Sequence, residues 1–392
     1  MHSTRLLIAG DIYLGRKLEK IGIEEPDLLF GSKITQLFSN ESFNIINLES
    51  SLNNLEDQYK IIKTGPHLKA NPLTTHALKS INIDLVTLAN NHIYDYGAEG
   101  LKHTFNALND NNIKYTGAGL NLKEAQNIFY KKVNNLTIAI INIAENEWSN
   151  ATLNSGGANP LDIIDNTKQI IHAKANADFV ILIIHGGHEN YKYPSPRMIN
   201  LYRYFAELGS DAIICHHTHI TSGYEIYKNV PIFYGIGNFL FHSSSKLPGW
   251  HNGMVVELIL NKTQRIDFNL YPYEQCKDAL HVELLNQTQK NEFLAEVDEI
   301  NLAIQNEELL NQKFNSFVKS NEELILSMFS TSNIINNRYF EALVRRLNIQ
   351  KYFLRKNQLK SILNYMRCES HYDITNKIII SYLKSEINSS KT

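Results

Sequence analysis

The residues in this sequence best suited to chemistry are histidines and carboxylates that follow short apolar runs. Phe179-Val180-Ile181-Leu182-Ile183-Ile184 ends on His185-Gly186-Gly187-His188-Glu189, and Ala212-Ile213-Ile214-Cys215 ends on His216-His217-Thr218-His219. Other apolar runs end on Asp11, on Glu49 and on Asn90-Asn91-His92. Carboxylates, imidazoles and an amide carbonyl make a mixed oxygen and nitrogen donor set. Such a set suits Mn²⁺, Zn²⁺ or Fe²⁺ better than a thiolate-seeking ion. Glu49 carries two usable oxygens and can bridge two cations. Two cations roughly 3.5–4 Å apart make hydroxide from bound water and clamp a phosphoryl group for in-line attack. An imidazole outside the donor set, for which His92 is the candidate, can protonate the leaving oxygen.

The elements that must position these residues are legible in the same runs. A wholly apolar stretch bounded by glycine reads as a strand buried on both faces of a parallel sheet. Ligand sites in open α/β sheets form at the carboxyl ends of such strands. Strands are expected at Arg5–Ala9, Phe43–Leu48, Asp84–Ala89, Lys114–Gly119, Leu136–Ala144, Phe179–Ile184, Ala212–Cys215 and Pro231–Tyr234. Gly253–Leu260 and Arg265–Tyr271 show the β-branched alternation of an antiparallel pair. Helical patterns separate them, as at Pro72–Ser80, Gly100–Asn109 and through Leu201, Phe205 and Leu208 to a closing Gly209. Strands alternating with helices predict an α/β fold. Glycine disappears after Cys276, and Phe293, Val297, Ile300 and Leu302 follow helical spacing. Two units are therefore expected, residues 1–280 and a helical region 281–392.

The totals exclude several classes. A chain of 392 residues with 43% hydrophobic residues can bury a proper core. A net charge of −2 and no basic run argue against nucleic acid or an anionic membrane as partner. The 3 cysteines are an odd count without framework spacing, which points to a reducing compartment. No apolar stretch approaches the roughly 18 residues of a membrane span, and Leu6-Leu7-Ile8-Ala9 is too short for a signal-peptide core. A soluble, cytoplasmic protein is expected. Arg345, Arg346, Lys351, Arg355 and Lys356 read as a solvated helical face.

Leu7-Ile8-Ala9-Gly10-Asp11, Asn47-Leu48-Glu49, Leu88-Ala89-Asn90-Asn91-His92 with Asp95-Tyr96-Gly97, the His185 and His216 motifs, and Gly237-Asn238-Phe239 together resemble the CapA family. Each motif alone is weak; six in this order are specific. The family comprises poly-γ-glutamate and capsule biosynthesis proteins similar in fold to calcineurin-like metallophosphoesterases, and the resemblance covers roughly residues 5 to 275. It implies a four-layer α/β/β/α sandwich with a helical C-terminal appendage. It also implies two divalent ions (Mn, Fe or Zn) held by Asp11, Glu49, Asn91, His185, His217 and His219. Asp11 matches a ligand of one metal, Glu49 the bridging carboxylate, Asn91 and His185 further ligands, and His217 and His219 one ligand for each metal. His92 matches the catalytic histidine. His216 is an additional histidine placed behind the ligands, on the substrate side of the set.

This sequence departs from the pattern at Tyr13, where a histidine is usual, at Cys215 in place of glycine, and at Gly186 in place of tryptophan. The N-terminal membrane anchor common among polyglutamate-making members is not expected here. Several residues keep two readings. Asp95 either orients His92 or starts a helix. His188 and Glu189 either contact substrate or form a loop hydrogen-bond pair. Gly235, Gly237 and Asn238 either cradle a phosphate or make a tight turn. The function expected is a metal-dependent hydrolase of phosphoesters or similar bonds, acting on a small-molecule or polymer substrate in capsule, exopolysaccharide or poly-γ-glutamate synthesis. The alternatives are an amide or peptide hydrolase, and a non-catalytic assembly factor whose C-terminal helices dock a biosynthetic protein.

Overall fold

Alternate residues of the central strands face opposite layers, and this parity builds the fold. Leu6 and Ile8 of the first strand, Ile138 and Ile140, and Ile181 and Ile183 all belong to one buried cluster. Their neighbours divide between two others. Leu7 and Ala9 pack with Leu18, Ile34, Leu78, Leu101 and Phe105 from helices on one side. Ala139, Ile141, Val180 and Leu182 pack against Ile170, Tyr202 and Phe205 from helices on the other. Strands apolar on both faces require a cover on both. The result is the four-layer α/β/β/α sandwich that the resemblance implied, with a helical C-terminal region.

In this computed structural model the described residues are 4–38, 41–244, 247–261, 266–323, 325, 346–347 and 356–389, with side chains described to 382. Arg345, Lys351 and Arg355 lie outside them; Arg346 and Lys356 are exposed. The first sheet runs Val282–Leu284, Ile266–Gln275, Asn252–Leu260, Thr4–Tyr13, Phe43–Leu48, Leu85–Thr87, Lys114–Thr116, with Asn238–Phe241 paired to the end of Thr4–Tyr13. The second runs Tyr224–Tyr227, Val230–Phe233, Ala212–His216, Phe179–His185, Leu136–Ala144, Phe129–Val133. Phe179–His185 lies parallel to both its neighbours, in a register that sets His185 beside Ala144 and His216. The two histidine motifs are thereby brought level at one edge of the sandwich.

Some local expectations shift. Lys114–Gly119 is broken at Gly117, whose φ of +89° favours glycine. A Cβ there would also lie 2.0 Å from Asn142 Oδ1. Leu302 is 66% exposed, and Ile304 takes the buried place after Ile300; two residues along a helix is more than half a turn, whereas four returns to the same face. Among the described residues no helix is long and apolar enough to cross a membrane.

Candidate metal centre

Each donor is delivered by a strand end. Asp11 lies near the end of Thr4–Tyr13, Glu49 follows Phe43–Leu48, and Asn91-His92 follow Leu85–Thr87. His185 and His216 end their strands, and His217 and His219 sit on the turn beyond. That turn holds both His217 (φ +84°) and His219 (φ +59°) in the left-handed region, which non-glycine residues adopt at a cost. Thr218 Oγ1 donates to Ile220 O at 2.7 Å and braces it. Gly10 permits the approach of Gly237, whose carbonyl would lie 1.8 Å from any Cβ there. Gly237 itself has φ +78°, the tight-turn alternative. Asn238 is thereby set level with Asp11.

The six expected ligands converge. Glu49, His185 and His217 offer ligand atoms within 4.8 Å of one another, and so do Asp11, Glu49 and His219. Glu49 is common to both sets: Oε1 lies 3.7 Å from His185 Nε2, and Oε2 lies 3.7 Å from His219 Nδ1. Asn91 Oδ1 is 3.2 Å from His185 Nε2, which is 3.1 Å from His217 Nδ1. Both Glu49 oxygens are buried without a hydrogen-bond partner among the described residues. An unpaired buried carboxylate costs several kcal/mol, by order of magnitude. Cations at these two triads would satisfy it, so the residues present fit a metal.

The electrostatics of the cluster are those of charges crowded out of water. Burial, with Asp11 and Glu189 nearby, pushes the Glu49 carboxyl well up. Burial would raise Asp11 too, but the surrounding imidazoles, His216 first at 3.3 Å, hold it below the usual carboxylate range. Burial and His217 push the His185 imidazole well down. Burial opposes a charge on His217, yet Glu147 and Glu189 raise it.

His92 stands beside the ligands with its Nδ1 2.7 Å from Asp95 Oδ2. Of the two readings of Asp95, the geometry is that of an orienting carboxylate. Burial and the nearby Lys63 hold the His92 imidazole below its ordinary value. Of the four residues expected to meet substrate, only Glu189 is exposed. His216 is buried against Asp11, and Asn238 Oδ1 lies 3.0 Å from His219 Nδ1. The His188 ring packs among Tyr191, Phe314 and Phe317 at centroid distances of 5.3–6.2 Å. Tyr13 joins Leu68, Phe241 and Trp250 in a small apolar cluster, and His219 rests on Phe241 and Trp250. Tyr13, at the position where the resemblance has a histidine, packs on Phe241 at a centroid distance of 5.0 Å.

Sequence reasoning missed three neighbours. Asn47 Nδ2 donates to Asp11 Oδ1 at 2.6 Å and lies 3.3 Å from His185 Nδ1; its place within Asn47-Leu48-Glu49 was the available signal. Lys63 is buried with Nζ 2.6 Å from Asp95 Oδ1. Glu147 accepts from Asn91 Nδ2 at 3.1 Å and lies 3.6 Å from His217 Nε2. Lys63 and Glu147 lie in loops without periodicity. Glu145, the strand-end carboxylate, instead pairs with Arg197 at 2.6 Å.

Known proteins resemble this chain over much of its length. The family model "Bacterial capsule synthesis protein PGA_cap" matches residues 5–243, which hold every residue of the cluster. A "Capsule biosynthesis protein CapA" of Bacillus anthracis is 33% identical over 245 residues, covering 60% of this chain and 59% of that protein. A "PGA biosynthesis protein CapA" of Bacillus subtilis (strain 168) is 31% identical over 272 residues, covering 68% and 70%. Among solved structures, a hypothetical protein from Thermus thermophilus aligns with a TM-score of 0.44 at 13% identity, covering 69% of this chain and 99% of its own.

Proposed function

The chain belongs to the PGA_cap family of bacterial capsule synthesis proteins, and on that premise we propose that it is a metal-dependent hydrolase of phosphoester or similar bonds in capsule or poly-γ-glutamate synthesis. The observation that carries this reading is the buried carboxylate of Glu49, shared between two triads of donors and without a hydrogen-bond partner among the described residues. Asp11, Glu49 and His219 would hold one divalent ion, and Glu49, Asn91, His185 and His217 the other. Bound there, Mn, Fe or Zn would supply a nucleophilic hydroxide and neutralise charge on the substrate oxygens. His92 does the proton work. Asp95 accepts from its Nδ1, so Nε2 is free to exchange a proton with the reacting oxygen. Asn47 fixes Asp11, and burial of the whole cluster excludes bulk water.

The test is elemental analysis with turnover of an aryl phosphate. Wild-type protein is expected to hold about two equivalents of metal, and His217→Ala sharply less. His92→Ala should keep its metal and lose roughly 10²–10⁴-fold in rate. Failure to take up any metal on reconstitution would overturn the reading.

A second reading, an assembly factor, is favoured by one observation. Leu359, Leu363 and Met366 are 43%, 49% and 69% exposed at helical spacing on Lys356–Arg367. Serine at these three positions should then abolish co-purification of a biosynthetic partner while leaving metal content unchanged.

A further inference from the structure

The C-terminal helix pair lies beyond the family-matched residues and is nevertheless fastened to the loop beside the candidate metal centre. Glu145, at the end of its strand, accepts from Ser370 N at 3.3 Å and from Arg197 at 2.6 Å. Arg197 also donates to Asp373 Oδ2 at 2.7 Å. Glu369 Oε2 accepts from Asn146 N at 2.8 Å. These contacts pin the junction between Lys356–Arg367 and Glu369–Ser389 against the loop that carries Glu147 and Trp148.

Arg367 ends the first of these helices. Its guanidinium lies over the Trp148 ring, 5.1 Å from the centroid. Trp148 is itself held, its Nε1 donating to Thr64 Oγ1 at 3.0 Å, and Thr64 adjoins Lys63 at the His92–Asp95 pair. The guanidinium therefore stands on an aromatic platform one loop away from the proton-handling histidine. Two carboxylates are close enough to feel it, Glu147 and Glu369. Glu147 is engaged by Asn91 and Glu369 by Asn146. Among the described residues the Arg367 guanidinium has no hydrogen bond and no ion pair, although the residue is half-buried. Burial accordingly pushes its proton affinity down rather than up. A planar fork of N–H donors, stacked and left open, is the geometry that takes an oxyanion in bidentate fashion.

We propose that Arg367, backed by Trp148, is an anion subsite that binds a carboxylate or phosphate group of the substrate beside the metal centre. Calling the bound molecule a substrate rests on the hydrolase reading; the binding of an anion does not. The C-terminal helices would then determine specificity, by selecting substrates with a second negative group.

The test is binding to metal-free, full-length protein, with Trp250→Phe introduced so that Trp148 alone emits. Inorganic phosphate and glutarate are titrated separately at constant low salt. A saturable change in Trp148 emission is expected with at least one of them, and which one responds separates a phosphate from a carboxylate group. Arg367→Gln should weaken binding by about tenfold or more, and Arg367→Lys, which keeps charge but not the fork, by less. Calorimetric titration of protein with both tryptophans checks the result should Trp250→Phe fold poorly. No saturable response to either anion, or identical curves with Arg367→Gln, overturns the proposal. Because neither metal nor turnover enters, such a result leaves the hydrolase reading standing, and a protein that binds no metal leaves the subsite standing.

Discussion

Lys63 and His92 share one buried carboxylate: Lys63 Nζ lies 2.6 Å from Asp95 Oδ1, and His92 Nδ1 lies 2.7 Å from Asp95 Oδ2. Leu68 N donates to the same Oδ2 at 2.7 Å. Asp95 is therefore both the orienter of His92 and the counter-ion of a buried lysine. The oppositely charged groups pull on the imidazole in opposite senses.

Asp95→Asn leaves Lys63 buried and uncompensated, at a cost of about 3–5 kcal/mol. Adding Lys63→Met should restore much of the stability, because the unpaired charge is then gone. Denaturant unfolding of the two single variants and the double would measure the coupling. Strictly additive losses would mean that the two side chains do not act as a pair.

Glu49→Gln should act in opposite directions on two observables. Without metal, the variant should melt no lower than wild type, since it removes a carboxylate that burial disfavours. With metal, it should lose the stabilisation that binding confers, about 2.7 kcal/mol at a hundredfold excess over the dissociation constant. Melting curves with and without Mn²⁺ check both halves. A Mn²⁺-induced shift equal to that of wild type would remove Glu49 from the binding site.

Asn142 joins the two sheets near the His92 loop. Its Oδ1 accepts from Ala89 N at 2.7 Å, and its Nδ2 donates to Ile183 O at 3.2 Å. Asn142→Leu strands the buried Ala89 N–H, and should cost roughly 1–3 kcal/mol. Gly117→Ala should do comparable damage by pressing on the same Oδ1. Aryl phosphate turnover should fall as well, as Ala89 leads directly into Asn90, Asn91 and His92. Unchanged stability in Asn142→Leu would show that this bridge contributes nothing.

Far from the cluster, Glu257 joins strand to strand through Asn269, Tyr271 and Arg5. Burial would raise its carboxyl, but these three partners together hold it below the ordinary value. A carboxyl lowered in the folded state stabilises above its unfolded value and loses that contribution as pH falls through the lowered one. Wild-type stability should thus decline on acidification below about pH 4.5, the ordinary glutamate value. Glu257→Gln should be weaker by roughly 1.5–3 kcal/mol at neutral pH, as for a hydrogen bond to a charged group. It should also lose part of the acid slope. Urea unfolding at a series of pH values reads both, and an identical slope in the variant would discard this assignment.

Much of this could be read before any fold was known. Phe43–Leu48 and Leu136–Ala144 coincide with their expected strands, because a strand buried on both faces must be continuously apolar and announces itself in a short window. The same runs pointed to Asp11, Glu49, Asn91, His185, His217 and His219, since a polar group that ends such a strand is held at the sheet's edge. Gly117 shows the limit of this reasoning. Gly117 marks a place in Lys114–Gly119 where a strand can break, but what approaches it there is Asn142 on the other sheet.

The sequence by itself marked the central buried strands, the residues that end them and the donor chemistry those residues offer. All of that follows from propensity and periodicity over a few residues. The tertiary structure alone decided that Glu49 is shared by two triads, that Lys63 neutralises Asp95, that Glu147 reaches Asn91, and that Arg367 rests on Trp148. These relations join residues from 32 to more than 200 positions apart. Strand register and the packing of one layer on another set such distances, and neither leaves a trace in the spacing of residues along the chain.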